Sequence, residues 1–189
     1  MTLIIGIKCS DGIVMAADGA ATLDATGMPT VLQSTKKLYI LKDSIIVGVS
    51  GPVGLAQRIR GEIESLWEGD KLKGIKRSSV AMQIIRKALW EYIKPELEAA
   101  AIARQVIGDV ACRSALSSTL SALPISKSPC LFQFNEQGAP EEATQDLPFV
   151  AIGSGQHIAD PFLAFLRRVF WGDRPPTLGI SANLTIDIF

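Results

Sequence analysis

Over the first fifty positions the apolar residues fall into short runs: Leu3 to Ile7, Ile13 to Ala17, Lys37 to Leu41 and Ile45 to Val49. Runs of this length, rich in β-branched residues, predict strands, and Asp11-Gly12 between the first two predicts a hairpin turn. At Ser50-Gly51-Pro52 the period changes, and Leu55, Ile59, Ile63 and Leu66 recur at helical spacing up to Trp67. Ser78 or Ser79 is placed to cap a second helix in which Ala81, Ile84, Ile85, Ala88, Leu89 and Tyr92 share a face, and Pro95 should kink or end it. The alanine-rich stretch from Ala99 to Val110 either extends that helix past the kink or stands apart from it.

From Ser114 the strand pattern returns in Ala115 to Leu123, Cys130 to Phe134 and Phe149 to Ile152, with Asn135-Glu136-Gln137-Gly138 as a turn. Gly153-Ser154-Gly155 then leads into Ile158, Phe162, Phe165, Leu166 and Val169, which lie on one helical stripe. Strands, two helices, strands and a helix, in that order, suit two stacked sheets with helices outside better than alternating βαβ units.

Composition narrows the function classes. A chain of 189 residues with 48% hydrophobic content suits one domain, residues 1–189, that buries roughly two thirds of its unfolded surface. Basic and acidic residues balance at 19 each, so no net field draws nucleic acid or an anionic membrane. No run of about 18 apolar residues occurs, so no membrane span is expected. The opening MTLIIGIKCSDG lacks the basic and apolar regions of a signal peptide, and Cys9, Cys112 and Cys130 fit neither a disulfide framework nor a zinc site. A soluble cytoplasmic protein without metal or cofactor is the expectation.

Thr2 follows the initiator methionine, which is normally trimmed before a small residue. A free threonine then carries a hydroxyl nucleophile and an α-amine, of pKa near 8, that can serve as its base. Many proteins begin Met-Thr to no purpose, so Thr2 gains weight only from its companions. Asp18 closes the second strand and Lys37 opens the third; a lysine near the hydroxyl lowers its pKa, and a carboxylate keeps that lysine charged and oriented. Gly51 sits where strand runs into helix, so its N–H can point at a developing oxyanion, though a tight turn alone would also want glycine. Ser154 is either a turn residue or a hydroxyl that orients the threonine amine. Ser154 with His157 as a serine nucleophile and base fails, because Gly-Ser-Gly-Gln-His is not the Gly-x-Ser-x-Gly elbow. A dinucleotide loop fails too, since Ile158 stands at the third glycine position.

These pieces occur in order: Thr2 with Ile5-Gly6-Ile7-Lys8, Asp11-Gly12-Ile13-Val14 leading to Ala16-Ala17-Asp18, Lys36-Lys37-Leu38-Tyr39, Gly51-Pro52-Val53-Gly54-Leu55-Ala56-Gln57, and Gly153-Ser154-Gly155. The ensemble resembles the proteasome β-subunit family over residues 2–172, most of all its β-proteobacterial and heat-shock-locus V branches. The resemblance implies the α+β, four-layer αββα sandwich of the N-terminal nucleophile hydrolases. It implies a threonine endopeptidase in which Thr2 is nucleophile and base, Asp18 and Lys37 tune it, Ser154 positions the amine and Gly51 supplies the oxyanion N–H. By the same carry-over Thr22 and Val53 hold the substrate backbone, while Ala21, Val49 and Val53 line a small, apolar-walled pocket for the residue before the cleaved bond.

Further implications of the resemblance are a double-stacked ring, sevenfold or else sixfold, that admits unfolded polypeptides, with an ATPase unfoldase as a partner. The alternative within the superfamily is a ring-forming subunit that does not cleave. Residues 173–189 depart from the family pattern, which continues through another helix and further strands, so an incomplete C-terminal part is expected.

Overall fold

The computed structural model describes residues 2–23, 31–113, 115–172 and 174–179, without the side chains of 20–23, 31–34, 110 and 113. Three strands form one sheet in the order β10-β1-β2, from β1 (Ile4–Lys8), β2 (Ile13–Ala17) and β10 (Phe149–Ile152). Five more form a second, β5 (Leu38–Leu41), β6 (Ile45–Ser50), β7 (Ser118–Ile125), β8 (Ser128–Phe134) and β9 (Pro140–Glu142), neighbours in that sequence. A separate hairpin joins β3 (Ala20–Leu23) to β4 (Val31–Ser34). All pairs are antiparallel.

Three apolar clusters define the layers. Between the five-stranded sheet and helices α1 (Val53–Glu68) and α2 (Ser78–Ile107) lie Val47, Ile59, Ile63, Ile85, Leu89, Phe132 and Phe134. Ile4, Leu120, Leu131 and Ile152 fill the space between the sheets. Ile5, Ile7, Ala159 and Leu163 pack the three-stranded sheet against α4 (Gln156–Leu166). Ile4 and Ile5 thus point to opposite cores, as a two-residue period requires, and a strand covered on both faces reads as an unbroken apolar run. The result is the expected αββα sandwich.

Local expectations fare unevenly. Ser78 does not cap α2: Arg77 is the N-cap, and the Ser78 hydroxyl donates to a Glu142 oxygen at 2.6 Å instead. Pro95 does not end the helix, which continues through the alanine-rich stretch to Ile107 because Leu89 and Ile93 before the proline and Ala100 after it hold one buried face. A four-residue helix α3 (Val110–Arg113) follows. Of the stripe expected on α4, only Leu166 is buried. Ala159, Leu163 and Leu166 face the sheet, while Ile158, Phe162 and Phe165 and, in the π-helical turn Arg167–Trp171, Val169 stay exposed.

β3 (Ala-Ala-Thr-Leu), β4 (Val-Leu-Gln-Ser) and β9 (Pro-Glu-Glu) escape the hydrophobic pattern because none is an unbroken apolar run, unlike the equally short β5 and β10. Of the atypical tail, residues 173 and 180–189 lie outside the described residues. Its described part returns to the β1–β2 turn, where Ser10 N–H donates to Pro176 O at 2.9 Å and Leu178 N–H to Asp11 Oδ1 at 2.8 Å.

Candidate active site

β1 is the middle strand of its sheet, so the two residues just before it are held between its neighbours. On one side the β10–α4 turn supplies a Gly155 N–H that donates to Thr2 O at 3.0 Å, and a Ser154 Oγ that accepts from Thr2 N at 2.9 Å. On the other, Asp18 at the end of β2 donates its N–H to Leu3 O at 3.1 Å and accepts from Leu3 N at 2.6 Å through Oδ1. Gly153 has φ +95°, and a Cβ there would run into the Thr2 carbonyl, so the turn can close on β1 only as glycine.

The same Asp18 carboxylate takes Lys37 Nζ on both oxygens, each at 2.7 Å. The pair is largely withdrawn from water, with 7% of the lysine side chain and 17% of the aspartate exposed. A lysine in that setting is fixed in position by its partner and has little freedom to move. Lys37 precedes β5 in the other sheet, so the ion pair also ties the two sheets together beside Thr2.

Thr2, Lys37 and Gly51 line one cavity of about 160 Å³ at the end of the sandwich. Gly51 has φ +139°, and a Cβ would come within 2.7 Å of Leu116 O, so both its conformation and its surroundings demand glycine. That placement leaves the turn reading and the oxyanion reading compatible, since the strained turn is what brings this backbone to the cavity.

Of the residues expected to bind substrate, Val49 and Val53 line the cavity. Ala21 and Thr22 lie on β3, with side chains outside the described residues. Besides Val49 and Val53, the cavity has a polar and basic part. Thr35, Lys36, Tyr39, Gln57 and Arg60 also line it, and the Arg60 guanidinium sits 4.4 Å from the Tyr39 ring centroid. Sequence reasoning missed these residues, although Val53, Ala56, Gln57 and Arg60 carry the spacing of a single face of α1.

Among the described residues there is no cluster of His, Cys, Asp and Glu that could hold a metal ion, and no helix is long and apolar enough to cross a membrane.

Comparison with known proteins finds similarity to one family. The proteasome subunit profile matches residues 2–87. The proteasome subunit beta of Methanocella paludicola is 29% identical over 94 residues, 48% of this chain and 44% of that protein. The match thus spans less than half the length of that curated relative. Among solved structures, an Anbu (Gly-1) mutant from Hyphomicrobium superposes with a TM-score of 0.66 at 21% identity, over 99% of this chain and 74% of that one. Anbu, an ancestral beta-subunit, from Yersinia bercovieri gives 0.64 at 18% identity, over 98% and 72%. An Anbu complex from Pseudomonas aeruginosa, solved as a helical assembly, gives 0.62 at 15%, over 98% and 72%. At these identities the solved structures establish the fold and not the branch.

Proposed function

We propose, from the premise that this is a proteasome β-like chain of the N-terminal nucleophile hydrolases, that it is a threonine endopeptidase with Thr2 as nucleophile once Met1 is removed. The observation that carries the reading is the convergence of Thr2, Lys37 and Gly51 on one cavity from three separate parts of the chain. Trimming of Met1 turns the Thr2 nitrogen, already hydrogen-bonded to Ser154 Oγ, into an α-amine. That amine takes the hydroxyl proton as Thr2 Oγ1 attacks the substrate carbonyl. The Lys37 charge favours the alkoxide, Asp18 fixes the lysine, and the Gly51 N–H receives the oxyanion.

Collapse of the tetrahedral intermediate breaks the C–N bond. The amine proton goes to the leaving group and an ester remains on Thr2. Water then attacks that ester, its proton passes to the same amine, and the hydroxyl is restored. Thr22 and Val53 hold the substrate backbone, and Ala21 with Val49 stands beside the pocket. Self-assembly into a double-stacked ring, sevenfold or sixfold, would place these sites in a chamber reached by unfolded polypeptides, with an ATPase unfoldase to supply them. The assembly of the Pseudomonas aeruginosa Anbu complex supports self-association.

The test is the intact mass of the purified protein after incubation with a peptide epoxyketone, which closes a ring on a hydroxyl and a free α-amine of one residue. Loss of Met1 with a stoichiometric adduct, absent in Thr2→Ala, is the expected result. Retained Met1, or a trimmed chain without adduct, overturns the catalytic reading and leaves a ring-forming subunit that does not cleave.

A further inference from the structure

The charge of the cavity beside Thr2 carries an inference about what it accepts. Lys36, Lys37 and Arg60 all line it, and among the described residues no Asp or Glu does. Lys37 is committed to Asp18 through two hydrogen bonds of 2.7 Å. Lys36 and Arg60 are different. The salt bridges among the described residues include neither, and both sit over the Tyr39 ring, Lys36 Nζ at 5.8 Å and Arg60 Cζ at 4.4 Å from its centroid. A guanidinium stacked on a ring spends its face on the π system and keeps the N–H donors around its edge for an in-plane acceptor.

Two elements hold the arrangement. Tyr39, in β5, is half-buried and follows Lys36 and Lys37 in the strand leading away from the site. Arg60 is also half-buried. It stands seven residues, or about 10 Å of helix axis, beyond Val53 on the same face of α1. Val49 and Val53 leave the near part of the cavity apolar, and the two cations lie at Tyr39. An aliphatic stem ending in a carboxylate matches that sequence of surfaces. A basic side chain would add like charge to a pocket already positive, and an aliphatic one would leave the cations unpaired.

We propose that this pocket selects an acidic side chain, glutamate in particular, for the residue that precedes the cleaved bond, with Arg60 as the principal contact and Lys36 as the second. The proposal rests on the reading of Thr2 as nucleophile for its orientation relative to the cleaved bond. Its binding component does not depend on turnover.

Two measurements test it. Binding of N-acetylated peptides ending in Glu, Leu or Lys to the intact Thr2→Ala protein is measured by calorimetry, and cleavage of matching fluorogenic peptides by the parent protein gives kcat/KM. A carboxylate on a charged donor should favour Glu over Leu by about ten- to a hundredfold in both measurements, with Lys weakest. Arg60→Ala should bring the Glu-to-Leu ratio within a few-fold of unity, and Arg60→Glu should invert the order in favour of Lys. Because each variant is judged by a ratio within itself, a general loss of folded protein does not imitate the effect.

Equal or tighter binding of the Leu peptide by Thr2→Ala, or a Glu-to-Leu ratio unmoved by Arg60→Ala, overturns the proposal. If Glu peptides bind selectively but nothing is cleaved and no epoxyketone adduct forms, the pocket assignment stands and the peptidase reading falls.

Discussion

The Asp18 carboxylate does two tasks at once, holding Lys37 on both oxygens and receiving the Leu3 N–H. Truncating one member of a withdrawn ion pair strands the other charge, which costs more than the pair contributes. Asp18→Ala should therefore lower stability by about 3 kcal/mol in urea unfolding and abolish cleavage. Adding Lys37→Met to that variant should recover much of the stability and none of the activity. If Lys37→Met alone left turnover intact, a role for its charge in activating Thr2 would be excluded. At this scale the candidate residues Thr2, Asp18, Lys37, Gly51 and Ser154 were legible because each stands at the end of an apolar run, where the element it closes fixes its place. Arg60, Lys36 and Tyr39 were not. Their significance lies in the meeting of a helix face with a strand from a separate part of the chain, and no local pattern encodes it.

Among the elements, α2 sets tertiary packing against local propensity most openly. Pro95 removes a backbone donor inside the helix and crowds the carbonyl one turn back, yet the helix continues to Ile107. Packing of Leu89, Ile93 and Ala100 outweighs the proline. Because Pro95 itself is exposed, Pro95→Ala should restore the missing hydrogen bond without disturbing the core. A gain of about 1–3 kcal/mol in chemical denaturation is expected, and a loss would mean that the local bend is needed for the fit of α2 on its sheet. The sequence signal for helix or strand was dependable where an element is long and has one buried face, as in α1 and β6. It failed for β3, β4 and β9, short segments in which polar residues or proline break the apolar run. For α4 it identified the helix and a stripe of which only Leu166 is buried, since residues on both ridges are apolar and only the sheet chooses between them.

The layer order of the whole molecule was readable from the succession of strand and helix patterns, whereas the pairing of β10 with β1 was not, because the two strands are more than 140 residues apart in sequence. Burial on this scale also fixes a dependence on pH. Cys130 is a buried residue of β8, where burial first and the nearby Glu142 carboxylate second raise its thiol pKa above the ordinary value. The folded state therefore keeps a proton that the unfolded chain releases sooner. Its contribution is fully present below the ordinary thiol range and is lost as pH climbs through the raised folded value. The slope is at most about 1.4 kcal/mol per pH unit. Unfolding followed from pH 7 to 10 should show this decline, flattened in Cys130→Ala; an unchanged slope in that variant would assign the decline to other groups.

The hydrogen bond from Thr2 to Ser154 spans 152 residues of sequence. Contacts of such separation are among the last to become favourable during folding, because the loop entropy must be met before they return anything. The surroundings of Thr2 are thus completed late in folding. Under the proposed function, a nascent or partly folded chain would carry a threonine but no site around it, and completion of the fold would itself serve as the activation event.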